Sequence, residues 1–435
     1  MALTVSIALL TVLAMIITVL IKPYVTVGKV KVGLYWIVCL FGAILMLVFG
    51  CIPFSQVIKG ITADTSVNPL KILALFLSMT LLSIYLGDAG FFDFIADSVF
   101  LKTKGGQLKL FLVLYAVVSI LTVFTSNDVI ILTFTPPICI FAKKAKISPF
   151  PFLLGEFVSA NTWSMMLVIG NPTNVYLAGA SGITFLNYLS VMWLPAIVGG
   201  LTGLFVIFLL FRKQLALPLQ NRTDTDNLEP VKVNKFLMVV ALVHLLACII
   251  LLAVSEFVGV QMWLICLALA ISLTVFNLVY NLIRNHSVSP VLKTLKKAPY
   301  ELIPFVLSMF VIVVSLKERG FTDLLNNALI TSTRWDGLSF GFLSALSANL
   351  LNNIPMSVLF ERIIDGLSIP ALYGSIIGSN VGAFITPVGA LAGIMWNKIL
   401  SEHGVRLPFT RFVLYGVTVA LPTLLTSTLT LVAVL

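Results

Sequence analysis

The chain is a succession of apolar runs, each long enough to cross a lipid bilayer. A span needs about 20 apolar residues. Continuous runs of that order occur near 3–21, 33–51, 70–87, 186–211, 236–254, 259–282, 302–316 and 411–434. They leave little chain for a soluble domain and predict an all-α polytopic membrane protein. Composition agrees, because only 10% of the 435 residues are charged, whereas soluble domains carry roughly a quarter. The longest polar stretch, 212–234, reads as a cytoplasmic linker between two halves.

The net charge of +10 belongs to basic loops between spans, as the positive-inside rule requires, and does not point to a nucleic-acid partner. Met1–Ile21 has no basic start and no small-residue cleavage site, so it reads as a first span rather than a signal peptide. Cys39, Cys51, Cys139, Cys248 and Cys266 lie in or beside apolar segments without CxxC spacing. They read as small packing residues, not as disulfides or metal ligands. No metal-ligand cluster, nucleophile–His pair or P-loop is legible, which argues against an enzyme and against an ATPase domain within the chain.

Four further regions are apolar but interrupted. Residues 107–142 are too long for one helix and are broken at Ser126-Asn127-Asp128; residues 337–365 are broken at Asn352-Asn353-Ile354-Pro355. Residues 151–179 and 371–400 are each one span with a polar, Gly/Pro-rich middle. If the first two are re-entrant hairpins, the expectation is about 11 spans plus two hairpins; the eight runs and two broken spans named here, an even number, bring both termini to the outside. This threading puts 21 Lys and Arg inside and six outside (Lys59, Lys71, Lys317, Arg319, Arg334 and Arg362). The first hairpin is flanked inside by Lys102, Lys104 and Lys109 before it and Lys143, Lys144 and Lys146 after it.

The halves also repeat. "LSMTLLSIYLGDAGFFDFI" at 77–95 aligns without gaps to "LSMFVIVVSLKERGFTDLL" at 307–325. Each copy precedes an interrupted hairpin and then an interrupted span, and the two copies run in opposite directions through the membrane. That predicts an inverted repeat, a common plan of secondary transporters. The predicted organisation is scaffold spans at 1–51, a first repeat at 52–211, the linker, scaffold spans at 235–282 and a second repeat at 283–435.

Non-helical backbone at membrane depth is tolerated only where protein or a water-filled cavity surrounds it. The breaks also expose helix ends, whose N-termini attract anions and whose C-terminal carbonyls can ligate cations. The four breaks are therefore expected to meet as a binding site. The hairpin breaks supply Ser126, Asn127, Asp128, Asn352 and Asn353. The broken spans supply Gly170, Asn171, Thr173 and Asn174, then Thr386 and Gly389. Asn161, in "SANT", and Ser379 and Asn380, in "GSNV", lie just upstream in similar settings. Asp128 is an acid at a predicted hairpin tip, where a carboxylate can bind Na⁺ or exchange a proton, or cap the second hairpin helix. Glu156 is expected at the membrane interface, as are Glu361 and Arg362. His244 is expected to pack helices, and Asp88, Asp93 and Asp97 to form a solvated loop face.

At these residues the chain resembles the ion transporter superfamily. That group includes ArsB-type arsenite/antimonite efflux permeases, NhaD-type sodium/proton antiporters and divalent anion/sodium symporters. The resemblance covers nearly the whole chain after about residue 30. It is nearest the ArsB type at "GDAGFFDFIA" (87–96), "SNDVIILTFTPP" (126–137), "KAPYELIPFVLSM" (297–309), "NNIPMSVL" (352–359) and "YGSIIGSNVGAFITPVGALAGIMWNKIL" (373–400). The ArsB type has Asp at the positions of Asn161 and Asn380, and Pro-Lys at Ala383-Phe384. It has Ser-Asn-Leu-Val-Asn where this chain has Gly170 to Asn174. The resemblance implies two hairpin-bearing repeats, transport by movement of the site-bearing domain against a scaffold, often a dimer, and substrate and coupling ion at the hairpin tips and broken spans.

The sequence thus predicts an ion-coupled secondary transporter of the cytoplasmic membrane, without a cofactor and coupled to H⁺ or Na⁺. The leading expectation is extrusion of arsenite or antimonite in exchange for protons, with Asp128 as the coupling carboxylate. The rival is Na⁺- or H⁺-coupled transport of a carboxylate or small inorganic anion. Outside that class stand a channel and the membrane subunit of a pump driven by a partner ATPase.

Overall fold

The computed structural model describes residues 1–21, 24–27, 30–64, 68–103, 105–219 and 233–435. Helices dominate: α1 (Ala2–Ile21), α2 (Leu34–Val48), α3 (Phe54–Thr62), α4 (Pro69–Asp88), α5 (Phe91–Lys102), α6 (Gln107–Phe124), α7 (Asn127–Lys144), α8 (Phe150–Trp163), α9 (Pro172–Ala180) and α10 (Phe185–Leu215). The chain continues through α11 (Lys235–Val258), α12 (Met262–Asn285), α13 (Ser289–Leu295), α14 (Leu302–Glu318), α15 (Phe321–Leu329), α16 (Asp336–Leu351), α17 (Asn353–Ile364), α18 (Ile369–Gly382), α19 (Leu391–Glu402) and α20 (Phe409–Val434). One departure from the all-helical expectation is a small antiparallel ribbon, β1 (Tyr24–Val27) with β2 (Val30–Gly33), in register Tyr24 to Gly33. Its residues are mostly β-branched, which suits a pleated strand better than a helix.

Among the described residues, α4, α6, α10, α11, α12 and α20 are long and apolar enough to cross a membrane. α6 belongs to this set although it was expected as only one arm of a hairpin. The 212–234 linker begins later than its composition suggested, because α10 runs on to Leu215. Arg212 and Lys213 sit in the last turn of α10, where cations complement the helix dipole. Lys22, Lys29, Lys104, Arg222 and Lys232 of the predicted inner loops, and most of the linker, lie outside the described residues. Asp93 and Asp97 are helical, in α5, not in a loop; Asp88 ends α4 and bonds Lys297 and Thr294.

The two sequence copies fold alike. α4 and α14 each end at a glycine in the left-handed region, Gly90 (φ 88°) and Gly320 (φ 73°), which starts the short helix α5 or α15. Glycine takes that conformation at little cost. Each copy then continues as a helix pair (α6–α7, α16–α17), a broken span (α8–α9, α18–α19) and a long last helix (α10, α20).

Helix contacts follow side-chain size. α16 and α18 touch backbone to backbone along Gly337, Gly341 and Ala345 facing Gly374, Gly378 and Gly382. A Cβ on Gly374 would lie 2.1 Å from Gly337 O, and one on Gly378 2.0 Å from Gly341 O. Small residues four apart allow this close approach, and membrane helices gain association energy from it. α11 and α12, by contrast, expose large apolar side chains such as Val239, Val243, Leu246, Ile271 and Val275. Such a continuous apolar surface fits lipid rather than water. His244 on α11 joins Val240 O (2.8 Å) and Ser272 Oγ of α12 (3.2 Å), as a packing residue. All five cysteines are free and buried.

Helix ends are tied in sets. Lys297 pairs with Asp88, the Gln107 N–H donates to Leu217 O, and the Asn234 N–H donates to Ala89 O. The Gly33 N–H and Tyr35 OH both donate to Glu301. At other ends, Arg319 donates to Gly50 O and Cys51 O, Lys317 pairs with Asp365 at 2.9 Å, and Tyr373 OH donates to Asn187 O.

Candidate functional site

The first broken span leaves helical geometry after Trp163. Two 3₁₀ turns, Ser164–Met166 and Val168–Gly170, fill the gap before α9 starts at Pro172. Pro172 suits a first helical position because it lacks the N–H that would go unbonded there. Asn171 caps the helix, its Oδ1 accepting from the Thr173 N–H and hydroxyl. Gly170 is required by space, since a Cβ would lie 2.2 Å from Ser164 O. The Asn174 Nδ2 donates to Ser164 O and Leu167 O, so this side chain closes the gap left by the missing helical bonds.

The two broken spans meet at Asn380. Its Oδ1 accepts from Ser164 Oγ (2.9 Å) and Asn171 Nδ2 (2.9 Å); its Nδ2 donates to Asn174 Oδ1 (2.7 Å) and Ile376 O (2.8 Å). Beside it, Ser379 Oγ donates to Thr173 Oγ1 at 2.9 Å. Asn161, Ser164, Asn171, Thr173, Asn174, Ser379 and Asn380 are all fully buried. The sequence placed most of these amides at a site, and the structure brings them together. It also shows that those of Asn171, Asn174 and Asn380 are occupied by one another.

The helix-pair breaks differ. At the first, Ser126 caps α7 and Asn127 Nδ2 donates to Asn161 Oδ1 at 3.1 Å. Asn161 Nδ2 is committed to Phe157 O, which fixes the orientation of both amides and leaves Asn127 Oδ1 buried with no donor among the described residues. Asp128, half-buried in the first turn of α7, has no hydrogen bond or ion pair among the described residues. At the second break, Asn352 caps α17 and donates to Val388 O; its φ of 74° with ψ 153° is a rare backbone state for a residue with a side chain. The Asn353 N–H donates to Gly389 O, and its Oδ1 is likewise buried without a donor. No hydrogen bond joins the two breaks to each other among the described residues. Each instead binds the broken span of its own half.

Asn349 was not singled out in the sequence. Its Oδ1 accepts from the Thr386 N–H (3.0 Å) and hydroxyl (2.6 Å), while its Nδ2 donates to Gly382 O, which anchors the second broken span to α16. The signal was available: "SAN" at 347–349 repeats "SAN" at 159–161. Gly389 packs with its missing Cβ 2.8 Å from Gly382 O.

Two acids expected at the interface are inside. Glu156 is 0% exposed; its Oε2 accepts from Trp396 Nε1 at 3.1 Å and its Oε1 lies 3.2 Å from Thr135 Oγ1. Glu361 is 7% exposed and lies 3.0 Å from Arg362 Nε. α8 is packed among α6, α7 and α10 with Trp396 of the other half, and α17 among α14, α16 and α18 with α9 of the other half, which hydropathy along one segment does not report. The buried amides line neither of the two larger clefts, one of ≈ 380 Å³ near Lys71, Val175 and Trp263 and one of ≈ 910 Å³ near Cys139 and His403.

The arrangement thus contains two unsatisfied amide oxygens, each at the start of a helix and in corresponding places of the two halves. Either can accept from a hydroxyl-bearing solute or ligate a hard cation.

Known proteins bear on the whole chain. It is 26% identical over 364 residues to the arsenical pump membrane protein of Escherichia coli K12, covering 81% of this chain and 83% of that one. It is 25% identical over 372 residues to the protein of the same description from Yersinia enterocolitica, covering 81% and 83%. Among solved structures, the Alcanivorax borkumensis YdaH transporter superposes with TM-score 0.57 at 14% identity, covering 99% of this chain and 97% of that one. Neisseria gonorrhoeae MtrF gives 0.59 at 13%, covering 99% and 94%. These two likenesses concern the fold. The sequence model of the CitMHS family, described as citrate transporter, matches residues 30–373. A match over that much of a helical, multi-pass chain has one consequence: this protein is a membrane transporter belonging to the CitMHS citrate transporter family.

Proposed function

We propose that the chain is an ion-coupled secondary transporter that extrudes arsenite or antimonite in exchange for protons, with Asp128 as the coupling carboxylate. The observation that carries this reading is the pair of unsatisfied oxygens, Asn127 Oδ1 and Asn353 Oδ1. A neutral trihydroxy metalloid offers hydroxyl donors and no charge, which suits buried amide acceptors. Asp128 lies next to Asn127 and has no partner among the described residues, which suits a group that takes up and releases a proton. The curated relatives named above are arsenical pump membrane proteins, which favours the metalloid substrate.

Two further elements of the reading have support. The repeats are inverted, with re-entrant helix pairs and both termini outside. Every tied set of helix ends described above joins ends that this threading puts on one face: Asp88 with Lys297 inside, for example, and Gly50 with Arg319 outside. The mutual occupation of Asn171, Asn174 and Asn380 fits an occluded resting state.

A second reading is Na⁺- or H⁺-coupled transport of a carboxylate or small inorganic anion. The family description favours it, as do the N-termini of α7, α9 and α17 at the breaks, because helix N-termini attract anions. One experiment separates the two. Thermal stability of the purified protein is measured with arsenite, citrate, succinate, sulfate and Na⁺. A ligand at a hundred times its Kd adds about 2.7 kcal/mol. Stabilisation by arsenite, with arsenite resistance lost or pH-independent in Asp128→Asn cells, is the expected result. Stabilisation by citrate or Na⁺ alone favours the second reading. An Asp128→Asn protein that exports arsenite with unchanged pH dependence removes Asp128 from coupling.

A further inference from the structure

We propose that Glu156 is a second protonation site, separate from Asp128, which exchanges its proton with water through the lysine-rich cleft beside α7 and α19. Glu156 lies in α8, fully enclosed, and reaches two other elements: Thr135 on α7 and Trp396 on α19. Hydrogen counting bears on the proton. The Thr135 hydroxyl has one hydrogen and two acceptors in reach, Ile131 O at 2.6 Å and Glu156 Oε1 at 3.2 Å. With that hydrogen on the shorter bond, the contact with Glu156 Oε1 is one that a proton on the carboxyl makes. The neutral acid then donates to Thr135 Oγ1 and accepts from Trp396 Nε1, and both ends are satisfied. As a carboxylate it keeps one donor, and no Lys, Arg or His pairs with it among the described residues. An isolated buried charge is costly. The other buried acids differ: Glu361 has Arg362 at 3.0 Å, and Asp336 accepts from Thr331, Ser332 and Ser368.

Access comes from the cleft of ≈ 910 Å³ lined by Cys139, Lys143, Lys144, Lys146, Glu402 and His403. Cys139 is one helical turn from Thr135 on α7 and lies within electrostatic reach of the Glu156 carboxyl. The cleft therefore ends about one turn from the carboxyl. On the proposed threading this face is cytoplasmic. The rings of Phe157, Trp396 and Phe412 pack together beside Glu156, with centroids 4.9 to 5.9 Å apart. The tyrosines of neighbouring helices are committed elsewhere: Tyr115 OH donates to Gly200 O, Tyr188 OH to Met165 O and Tyr373 OH to Asn187 O. Cys139 and the groups at the cleft mouth are thus the titratable neighbours that bear on Glu156. Loss of the proton removes the carboxyl's bond to Thr135 and so loosens the contact of α8 with α7, while the Trp396 N–H of the other half still donates to it. Its use in transport rests on the ion-coupled reading; its proton exchange does not, and is measured without substrate.

The test keeps Trp396 as the sole tryptophan by replacing the other five with Phe. Its emission is followed against pH, alongside the infrared C=O band of protonated carboxyls in the unmodified protein. The expected result is a pH-dependent emission change and a carboxyl band that exchanges in heavy water. The emission change and the Glu156 component of the band vanish in Glu156→Gln and persist in Asp128→Asn. Gln reproduces the acid's donor and acceptor, so this variant keeps the local bonds. With Cys139 as the sole cysteine, a thiol reagent added from the lysine-rich face should slow exchange of the band. A flat emission profile in the Trp396-only protein, or a pH response and band left unchanged by Glu156→Gln, overturns the proposal. Exchange untouched by Cys139 modification overturns the route. Failure of arsenite transport leaves these readouts unchanged, so the two readings fail separately.

Discussion

Asn380→Ala tests whether the buried amide network holds the two halves together. The side chain makes four hydrogen bonds, three of them to residues of the other half. Two partners survive its removal: Ser164 Oγ still donates to Asn161 O, and Ile376 O keeps its helical bond. Asn171 Nδ2 and Asn174 Oδ1 do not, because Asn380 is the only partner of each atom among the described residues. A buried polar group left without a partner costs about 1–3 kcal/mol, so two cost about 2–6. Side-chain hydrogen bonds within membranes average nearer 0.6 kcal/mol, because the unfolded chain in the bilayer also finds partners. The higher range should win in its lower part, since the site is closed to solvent and its groups cannot reach water without moving a helix. The expected loss is about 2–4 kcal/mol by SDS-driven unfolding in mixed micelles, followed by circular dichroism. Asn174→Ala alone removes one of the same bonds, so the double variant should cost at least about 1 kcal/mol less than the sum. A loss below about 1 kcal/mol, or strict additivity, would refute the idea that this network joins the halves.

Three other substitutions test packing and binding. Gly378→Ala places a methyl 1.9 Å from Ser344 Oγ and 2.0 Å from Gly341 O; it should cost about 3 kcal/mol or more in the same assay. Gly179→Ala, with nothing within 4 Å of the new atom, should be neutral or stabilising by up to about 1 kcal/mol. Asn127→Ala removes an unsatisfied acceptor and should weaken ligand binding at least about ten-fold, equal to 1.4 kcal/mol, read as lost ligand-induced thermal stabilisation. Unchanged stabilisation would show that Asn127 Oδ1 does not face the ligand.

The legible part of the site was the part written as local chemistry. The breaks were expected from their Asn, Ser, Gly and Pro residues, and the structure starts α9 at Pro172 with Asn171 as its cap, a role not read from the sequence. Ser126 and Asn352 likewise cap α7 and α17. Asn349 was missed because a lone Asn in an apolar helix carries no local signal of its role; its partner, Thr386, is 37 residues away. Glu156 was misplaced for a related reason. It stands five residues after Pro151, where a span starting at the membrane surface would keep an acid near the interface, and its partners Thr135 on α7 and Trp396, 240 residues on, make the position an interior one.

By itself the sequence determined that the chain is a helical membrane protein with duplicated polar breaks, because spans, caps and breakers act over a few residues and the bilayer forbids most alternatives. The tertiary structure decided which polar groups are consumed and which remain. Asn171, Asn174 and Asn380 look like ligands in sequence but satisfy one another across the two halves; Asn127 and Asn353 keep an oxygen free. Hydrogen-bond satisfaction is a property of pairs brought together by folding, and no single segment contains both members.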